Sequence, residues 1–224
     1  MKREFLKTGD GSITIRLPDW DEQYHSKHGA IAEAQHVFLK SGFYHFLNKN
    51  PNVEGPIQIL EIGFGTGLNA LLTLKAAANT NTQVHYVGME GYPVAISEVK
   101  QLNYASQLNI PEPTFLQLHE VPWEQKATLK PTFALEKREA GFNQLTDVSK
   151  YHLIYYDAFG PRVQPELWET QLLEKMYRAL LPKGVWVTYC AKGSVRRSLQ
   201  EIGFTVERLP GPPGKREMLR AIKE

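Results

Sequence analysis

The 224-residue chain has a single cysteine, Cys190. It cannot close an intramolecular disulfide, and a structural zinc site would have to be built from histidine and carboxylate. The histidines show no persuasive cluster spacing, so no metal is expected. No apolar run reaches the roughly 18–20 residues that cross a bilayer, and the polar stretch Met1 to Asp10 lacks the apolar core of a signal peptide. The formal net charge is only +2, from 26 basic and 24 acidic residues. Such a balanced chain has no global pull toward nucleic acid, so any basic surface must be local. These absences lead to the expectation of a cytoplasmic protein with no membrane contact and no stable protein partner.

What is present is an ordinary globular composition, 42% hydrophobic and 22% charged, enough to bury one substantial core. Residues 1–50 read as an N-terminal extension packed on that core. It holds a short strand, Ser12 to Leu17, stopped by Pro18, and a helical segment, His28 to Leu47, with a break or bend at Ser41-Gly42. After a turn-rich linker, residues 51–224 alternate strands and helices. Strands are expected at Ile57 to Ile62, Val84 to Glu90, Thr114 to Leu118, Tyr151 to Asp157 and Val185 to Ala191. Helices are expected at Leu68 to Ala78, Val94 to Leu102, Glu166 to Leu180 and Val195 to Ile202, the helix before the fifth strand closed by Leu181-Pro182-Lys183-Gly184. Alternation of this kind implies parallel pairing with right-handed crossovers. The last two strands, Phe204 to Leu209 and Arg216 to Ile222, have no helix between them, so the sheet ends antiparallel. Phe133 to Phe142 does not fit the alternation and reads as an insertion, with a hairpin as one form.

The turn Glu61-Ile62-Gly63-Phe64-Gly65-Thr66-Gly67 follows an apolar strand and opens a helix. Open parallel sheets bind ligands at the carboxyl ends of their strands, and glycine lets backbone approach the ligand or take a positive φ. The dinucleotide pattern G-x-G-x-x-G fails, because the third position is Leu68. The phosphate-binding G-K-S/T fails too, because Leu68-Asn69 follows Gly67. The E-x-G-x-G-x-G form resembles the first motif of class I methyltransferases, where it wraps S-adenosylmethionine. Glu90, ending the second strand, has the place of a carboxylate that accepts hydrogen bonds from both ribose hydroxyls; the plainer alternative is a solvated strand-end acid. The adenine contact is expected near Leu118-His119-Glu120.

Asp157, in Tyr155-Tyr156-Asp157-Ala158-Phe159-Gly160-Pro161, ends the fourth strand, where such enzymes present the acceptor atom. A carboxylate there orients an amine, and because it also stabilises the unreactive ammonium it must take up or relay the proton. The alternative is a capping aspartate for the helix beyond Pro165. Phe159, Tyr156 and Trp168 have the composition of an aromatic wall for a base or amine; Trp168 reads equally well as a core anchor.

Taken together, Leu60 to Asn69, Tyr24-His25-Ser26 with Glu33 and Val37-Phe38, Asp157-Ala158-Phe159 with Pro161, Gln164-Pro165-Glu166-Leu167-Trp168, and Thr188 to Gly193 with Val195-Arg196-Arg197, Gly203-Phe204 and Lys215-Arg216-Glu217 resemble the MnmC methyltransferase-domain family, in its stand-alone MnmD type. The likeness runs from about Tyr24 to the C-terminus. It implies a class I S-adenosylmethionine methyltransferase, Rossmann-like, with a mostly parallel seven-stranded sheet and an antiparallel final strand. It implies methylation of the 5-aminomethyl group on wobble uridine of tRNA, giving 5-methylaminomethyl-(2-thio)uridine. The implied cofactor set is Glu61, Gly63, Phe64, Gly65, Thr66, Gly67, Asn69, Glu90 and Asp157, with Asp157 and Phe159 at the acceptor. Tyr24, Ser26, Glu33, Lys192, Arg196, Arg197, Lys215 and Arg216 are expected to meet the substrate, with the basic ones on phosphates of the anticodon stem-loop. Two other readings stand beside this one. One is a small-molecule amine N-methyltransferase, and the other a non-catalytic nucleotide- or RNA-binding module on the same scaffold.

Overall fold

The computed structural model describes residues 2–224. A small antiparallel sheet comes first, with β1 (Glu4–Lys7), β2 (Ile13–Leu17) and β3 (Glu22–Gln23) paired in that order. Helical backbone then runs on through α1 (Ala30–Ala34), a π-helical stretch (Gln35–Tyr44) and α2 (His45–Lys49). The expected break at Ser41-Gly42 is replaced by a widening of the helix. Ser41 Oγ donates to the His36 carbonyl at 2.9 Å. A Cβ on Gly42 would come within 3.1 Å of Val187 Cγ2, so glycine lets this rod lie close against the main sheet.

The main body alternates as expected in type. Its elements are β4 (Ile57–Ile62), α3 (Leu68–Thr80), β5 (Val84–Glu90), α4 (Ile96–Val99), α5 (Tyr104–Gln107), α6 (Glu112–Glu120), β6 (Lys126–Lys130), β7 (Phe133–Glu139), β8 (Tyr151–Tyr156), α7 (Thr170–Ala179), β9 (Leu180–Thr188), α8 (Gly193–Ile202), β10 (Phe204–Pro210) and β11 (Glu217–Lys223). The sheet order is β10-β11-β9-β8-β4-β5-β7-β6. The strands β7, β5, β4, β8 and β9 are parallel, and β11 pairs antiparallel with β9. This is the expected seven-strand arrangement, with β6 added at one edge as the antiparallel partner of β7. Order reverses between β4 and β8, so the ligand crevice belongs outside their carboxyl ends.

Four expectations need correction. Thr114 to Leu118 is helical, inside α6. The third parallel strand is instead β7, within the segment read as an insertion, and it pairs with β5 from Val84↔Phe133 to Glu90↔Glu139. The carboxyl end of the third strand therefore lies at Glu139 rather than at Leu118 to Glu120, and Gly141 to Asn143 after it line the cavity. Leu181 to Gly184 lies inside β9, with Lys183 at φ +62° providing an irregularity, and the helix before it starts as a short 3-10 turn, Pro165–Trp168.

The two faces of the sheet are covered separately. The rod over 30–49, α3 and α6 bury Phe38, Phe43, Leu71 and Phe115 against Tyr86 and Tyr155. On the other face α7 and α8 bury Leu173, Met176 and Leu199 against Tyr156 and Trp186. Along β4, Ile57 and Ile59 belong to the first layer and Leu60 and Ile62 to the second. Period-two alternation thus aims the next residue of the first series, Glu61, at α3.

Candidate active site

The β4–α3 turn makes its shape with three glycines at positive φ, +89° at Gly63, +49° at Gly65 and +72° at Gly67. Side chains would also collide there. A Cβ on Gly63 would stand 2.7 Å from the Asp157 carbonyl, and one on Gly67 2.8 Å from His119 Nε2. The turn is hung from β5, since the Gly63 and Phe64 amides both donate to the Met89 carbonyl at 3.0 Å. The Phe64 ring packs over Gly88 and beside His119 and Trp123. Its side chain plugs the turn, and its backbone shapes the crevice.

Three carboxylates ring this turn. Glu61 is buried beneath it, with Oε1 accepting from Asn69 Nδ2 at 2.8 Å. The same Asn69 Nδ2 donates to Asp157 Oδ2 at 2.8 Å, so one amide from α3 bridges the ends of β4 and β8. Burial, then the charge of Asp157, hold the Glu61 carboxyl well above the usual range. Glu90 accepts from the Gly65 amide and the Tyr92 amide, both at 2.9 Å. A carboxylate offers about four lone-pair sites, so two stay free to accept from a ligand.

Asp157 opens on a cavity of about 970 Å³ outside the carboxyl ends of β4, β5 and β8. That lies near the top of the range of roughly 300–1,000 Å³ for small-molecule sites, room for a cofactor and part of an acceptor. Burial first, then the facing Glu33 carboxylate, push the Asp157 pKa up to about 7. Its backbone is fixed from both sides, because Tyr189 Oη donates to the Ala158 carbonyl and Trp168 Nε1 to the Phe159 carbonyl, each at 2.8 Å. Neither Asp157 nor any other side chain caps the Pro165 turn.

Of the residues expected to bind cofactor, Gly63, Phe64, Gly65, Thr66, Asn69, Glu90 and Asp157 line the cavity, while Glu61 and Gly67 lie behind its wall and shape it. Of the expected substrate residues, Phe159, Tyr24, Ser26, Glu33 and Lys215 line the same cavity. Lys192, Arg196, Arg197 and Arg216 do not. They lie outside it, on the first turns of α8 and on the loop joining β10 and β11. Since β10 runs parallel to β9, that loop and α8 stand at the same carboxyl edge as Asp157. The aromatic wall differs from expectation. Tyr156 and Trp168 are buried in the α7 layer, and Phe159 is instead met edge-on by Trp20 at 5.7 Å and Tyr24 at 5.2 Å. Trp20 and Tyr189 are the residues that sequence reasoning missed. Trp20 follows Pro18 in a segment without periodicity, and Tyr189 reads as one more apolar residue of a buried strand.

The residues present suit S-adenosylmethionine. Thr66 Oγ1 and Asn69 Oδ1, on residues that line the cavity, are buried at the glycine turn with no hydrogen-bond partner. Native proteins rarely leave such groups orphaned, and an amino acid's ammonium and carboxylate would satisfy them. Residues 97–224 match the family model described as S-adenosyl-L-methionine-dependent methyltransferase. The chain belongs to that family. This methyltransferase is 34% identical over 217 residues to the tRNA 5-methylaminomethyl-2-thiouridine biosynthesis bifunctional protein MnmC of Marinomonas sp., covering 89% of this chain and 31% of that one. Its likeness to the MnmC of Leptospira interrogans is 31% identity over 96% of this chain and 34% of the relative. The methyltransferase thus spans about a third of the length of these curated relatives. Among solved structures, MnmC2 from Aquifex aeolicus aligns with a TM-score of 0.78 at 28% identity, covering 98% of this chain and 69% of that one. Spermidine synthase from Thermotoga maritima, at 14% identity and a TM-score of 0.54, shares the fold alone. No helix among the described residues is long and apolar enough to cross a membrane.

Proposed function

We propose that this methyltransferase acts on an amine, the 5-aminomethyl group of wobble uridine in tRNA, and yields 5-methylaminomethyl-(2-thio)uridine. The observation that carries the amine reading is Asp157. It is a carboxyl with its pKa raised to about 7, on a rigid turn after β8, beside the glycine turn and open to the cavity.

When bound, S-adenosylmethionine supplies a methyl group already activated on a sulfonium. The chain's own residues supply position and proton handling. Thr66 and Asn69 would hold the amino-acid end, with Glu61 fixing the Asn69 amide from behind, and Glu90 would hold the ribose. An aliphatic amine arrives largely as ammonium, which has no lone pair to attack with. Asp157 Oδ accepts one of its protons and leaves the nitrogen lone pair directed into the cavity. A carboxylate at its ordinary 3.8 would be a weaker base for that task than one near neutrality. Phe159, Trp20 and Tyr24 give apolar edges that exclude water and stack on an unpaired base.

The tRNA reading is supported by the names of the MnmC relatives and by the basic residues on the rim. Lys192, Arg196, Arg197 and Arg216 stand where an anticodon stem would lie once its wobble base enters the cavity. Residues 1–50 form an N-terminal extension packed on the core, and 51–224 the methyltransferase domain proper. Such a substrate fits a cytoplasmic protein. The test is transfer of a labelled methyl group from S-adenosylmethionine to tRNA carrying 5-aminomethyl-2-thiouridine, followed by nucleoside separation. Label is expected in the 5-methylaminomethyl nucleoside. Label on a free small amine with none on tRNA would replace this reading with the small-molecule one.

A further inference from the structure

We propose that Lys215 is a positioning residue, which keeps the Glu33 carboxylate paired and so leaves Asp157 free to ionise at the cavity wall. The inference rests on the reading of Asp157 as proton acceptor. It also gives a role to a cation that the sequence assigned to RNA phosphates.

Lys215 sits on the loop between β10 and β11, far in sequence from α1, yet its Nζ is 2.6 Å from Glu33 Oε1. The other Glu33 oxygen accepts from the Ser26 amide at 2.7 Å. Lys215 Nζ also lies 3.8 Å from the centre of the Tyr189 ring, over its face. Tyr189 in turn donates to the Ala158 carbonyl, next to Asp157. A buried carboxylate, an aromatic face and the turn that carries Asp157 thus converge on one ammonium. The Glu33 side chain is only 8% exposed, against 34% for Lys215, so water does little to screen Glu33 if its partner leaves. A phosphate contact would leave the Lys215 ammonium outward and unpaired; here it is turned inward.

The groups that act on Asp157 come from every neighbouring element. Glu61 on β4 faces it across the Asn69 amide, and Glu33 on α1 faces it from the rod. Lys215 acts from the hairpin loop, and the phenols of Tyr86, Tyr104 and Tyr189 feel the Asp157 charge from β5, α5 and the end of β9. Burial holds all three phenols protonated near neutrality. Lys215 is the one of these groups that favours the ionised form by its charge. Glu33 favours the neutral one, while Glu61 is itself pushed toward protonation. Removing Lys215 therefore takes away the positive charge that offsets Glu33 at Asp157.

The experiment is a carboxyl carbon-13 NMR titration of the full chain labelled at aspartate, without cofactor or tRNA, with D157N to assign the resonance. Lys215→Met is expected to raise the Asp157 midpoint by about 1 pH unit, in the range of a neighbouring charge. Lys215→Arg should restore it, and Glu33→Gln should lower it. The double variant K215M/E33Q should lie between the two singles. An Asp157 midpoint that Lys215→Met and Glu33→Gln both leave in place would overturn the proposal, and E33Q alone decides it if K215M fails to fold. The acid limb of methyl transfer, measured on the same variants, separates the two readings. A midpoint that moves while the limb stays put keeps the Lys215 assignment and removes Asp157 as acceptor of the substrate proton.

Discussion

Replacing Gly63 by alanine isolates the steric demand of the cofactor turn from its conformational demand. Gly63 has φ +89°, and its missing Cβ would stand 2.7 Å from the Asp157 carbonyl oxygen. The backbone term, an L-residue forced into the left-handed region, costs roughly 1–2 kcal/mol. The contact is with main chain, which no rotamer change relieves, so β4 and β8 must part by several tenths of an ångström; overpacking of this kind costs roughly 1–3 kcal/mol more. The sum of about 2–5 kcal/mol corresponds to a fall in Tm of roughly 4–20 °C for a chain of this size. Gly55 supplies the control. Its φ is +71°, and nothing lies within 4 Å of the Cβ that alanine would add, so Gly55→Ala carries the backbone term alone, about 2–8 °C. Differential scanning calorimetry of both variants reads the difference directly, and isothermal titration with S-adenosylmethionine should show weaker binding for Gly63→Ala only. Equal melting losses in the two variants would refute the steric argument.

Three further outcomes follow from the same geometry. Asp157 binds its proton more tightly in the fold than in the open chain, so stability is lost as pH rises from its ordinary 3.8 through about 7. Asp157→Asn should therefore raise Tm at pH 8 and change it little at pH 4, by at most about 4 kcal/mol at 1.36 kcal/mol per pH unit; a pH-independent difference would contradict this. His25 and His119 are held neutral mainly by burial, with pKa lowered from 6.5 to about 4. The open chain takes up those protons first, so their contribution to stability is present above pH 6.5 and falls away toward pH 4; His25→Asn should flatten the acid side of the Tm profile, and an unchanged slope would count against it. Replacing Arg196 and Arg197 with glutamine should weaken tRNA binding and make the slope of log affinity against log salt shallower by about one per lost phosphate contact, with S-adenosylmethionine binding unchanged; an unaltered salt slope would remove these residues from the RNA face.

The cofactor end was legible in the sequence because its constraints are local. A buried strand, a turn demanding three positive φ values and a helix start occupy consecutive residues from Ile57 to Leu68 and need no distant partner for their shape. The third parallel strand was misplaced for an equally physical reason. In β7 the residues Phe133, Leu135 and Lys137 all point inward, and a charged residue in that series reads as solvent-facing. Lys137 is buried all the same, because its Nζ donates to the His119 carbonyl at 2.6 Å and lies 4.7 Å from the Trp123 ring centre. Thr114 to Leu118 has the opposite fault. Its mix of branched and aromatic residues suits a strand, but Pro111 before it and the burial of Thr114, Phe115 and Leu118 on one side mark a helix. The Asp157 end of the cavity was only half legible. Asp157 and Phe159 were visible from their place after a strand, whereas the Glu33–Lys215 pair joins residues 182 positions apart and exists only in the fold.

The most direct test of the account is single-turnover methyl transfer from pH 5 to 9 with the wild-type chain and Asp157→Asn, each first shown to bind S-adenosylmethionine. The account predicts a wild-type rate that falls away below about pH 7, following the Asp157 carboxyl. It predicts that D157N binds cofactor within a few-fold of wild type yet transfers about 10²–10⁴ times more slowly. A D157N rate close to wild type, or a wild-type profile flat through neutrality, would contradict the assignment of Asp157 as the group that receives the acceptor's proton.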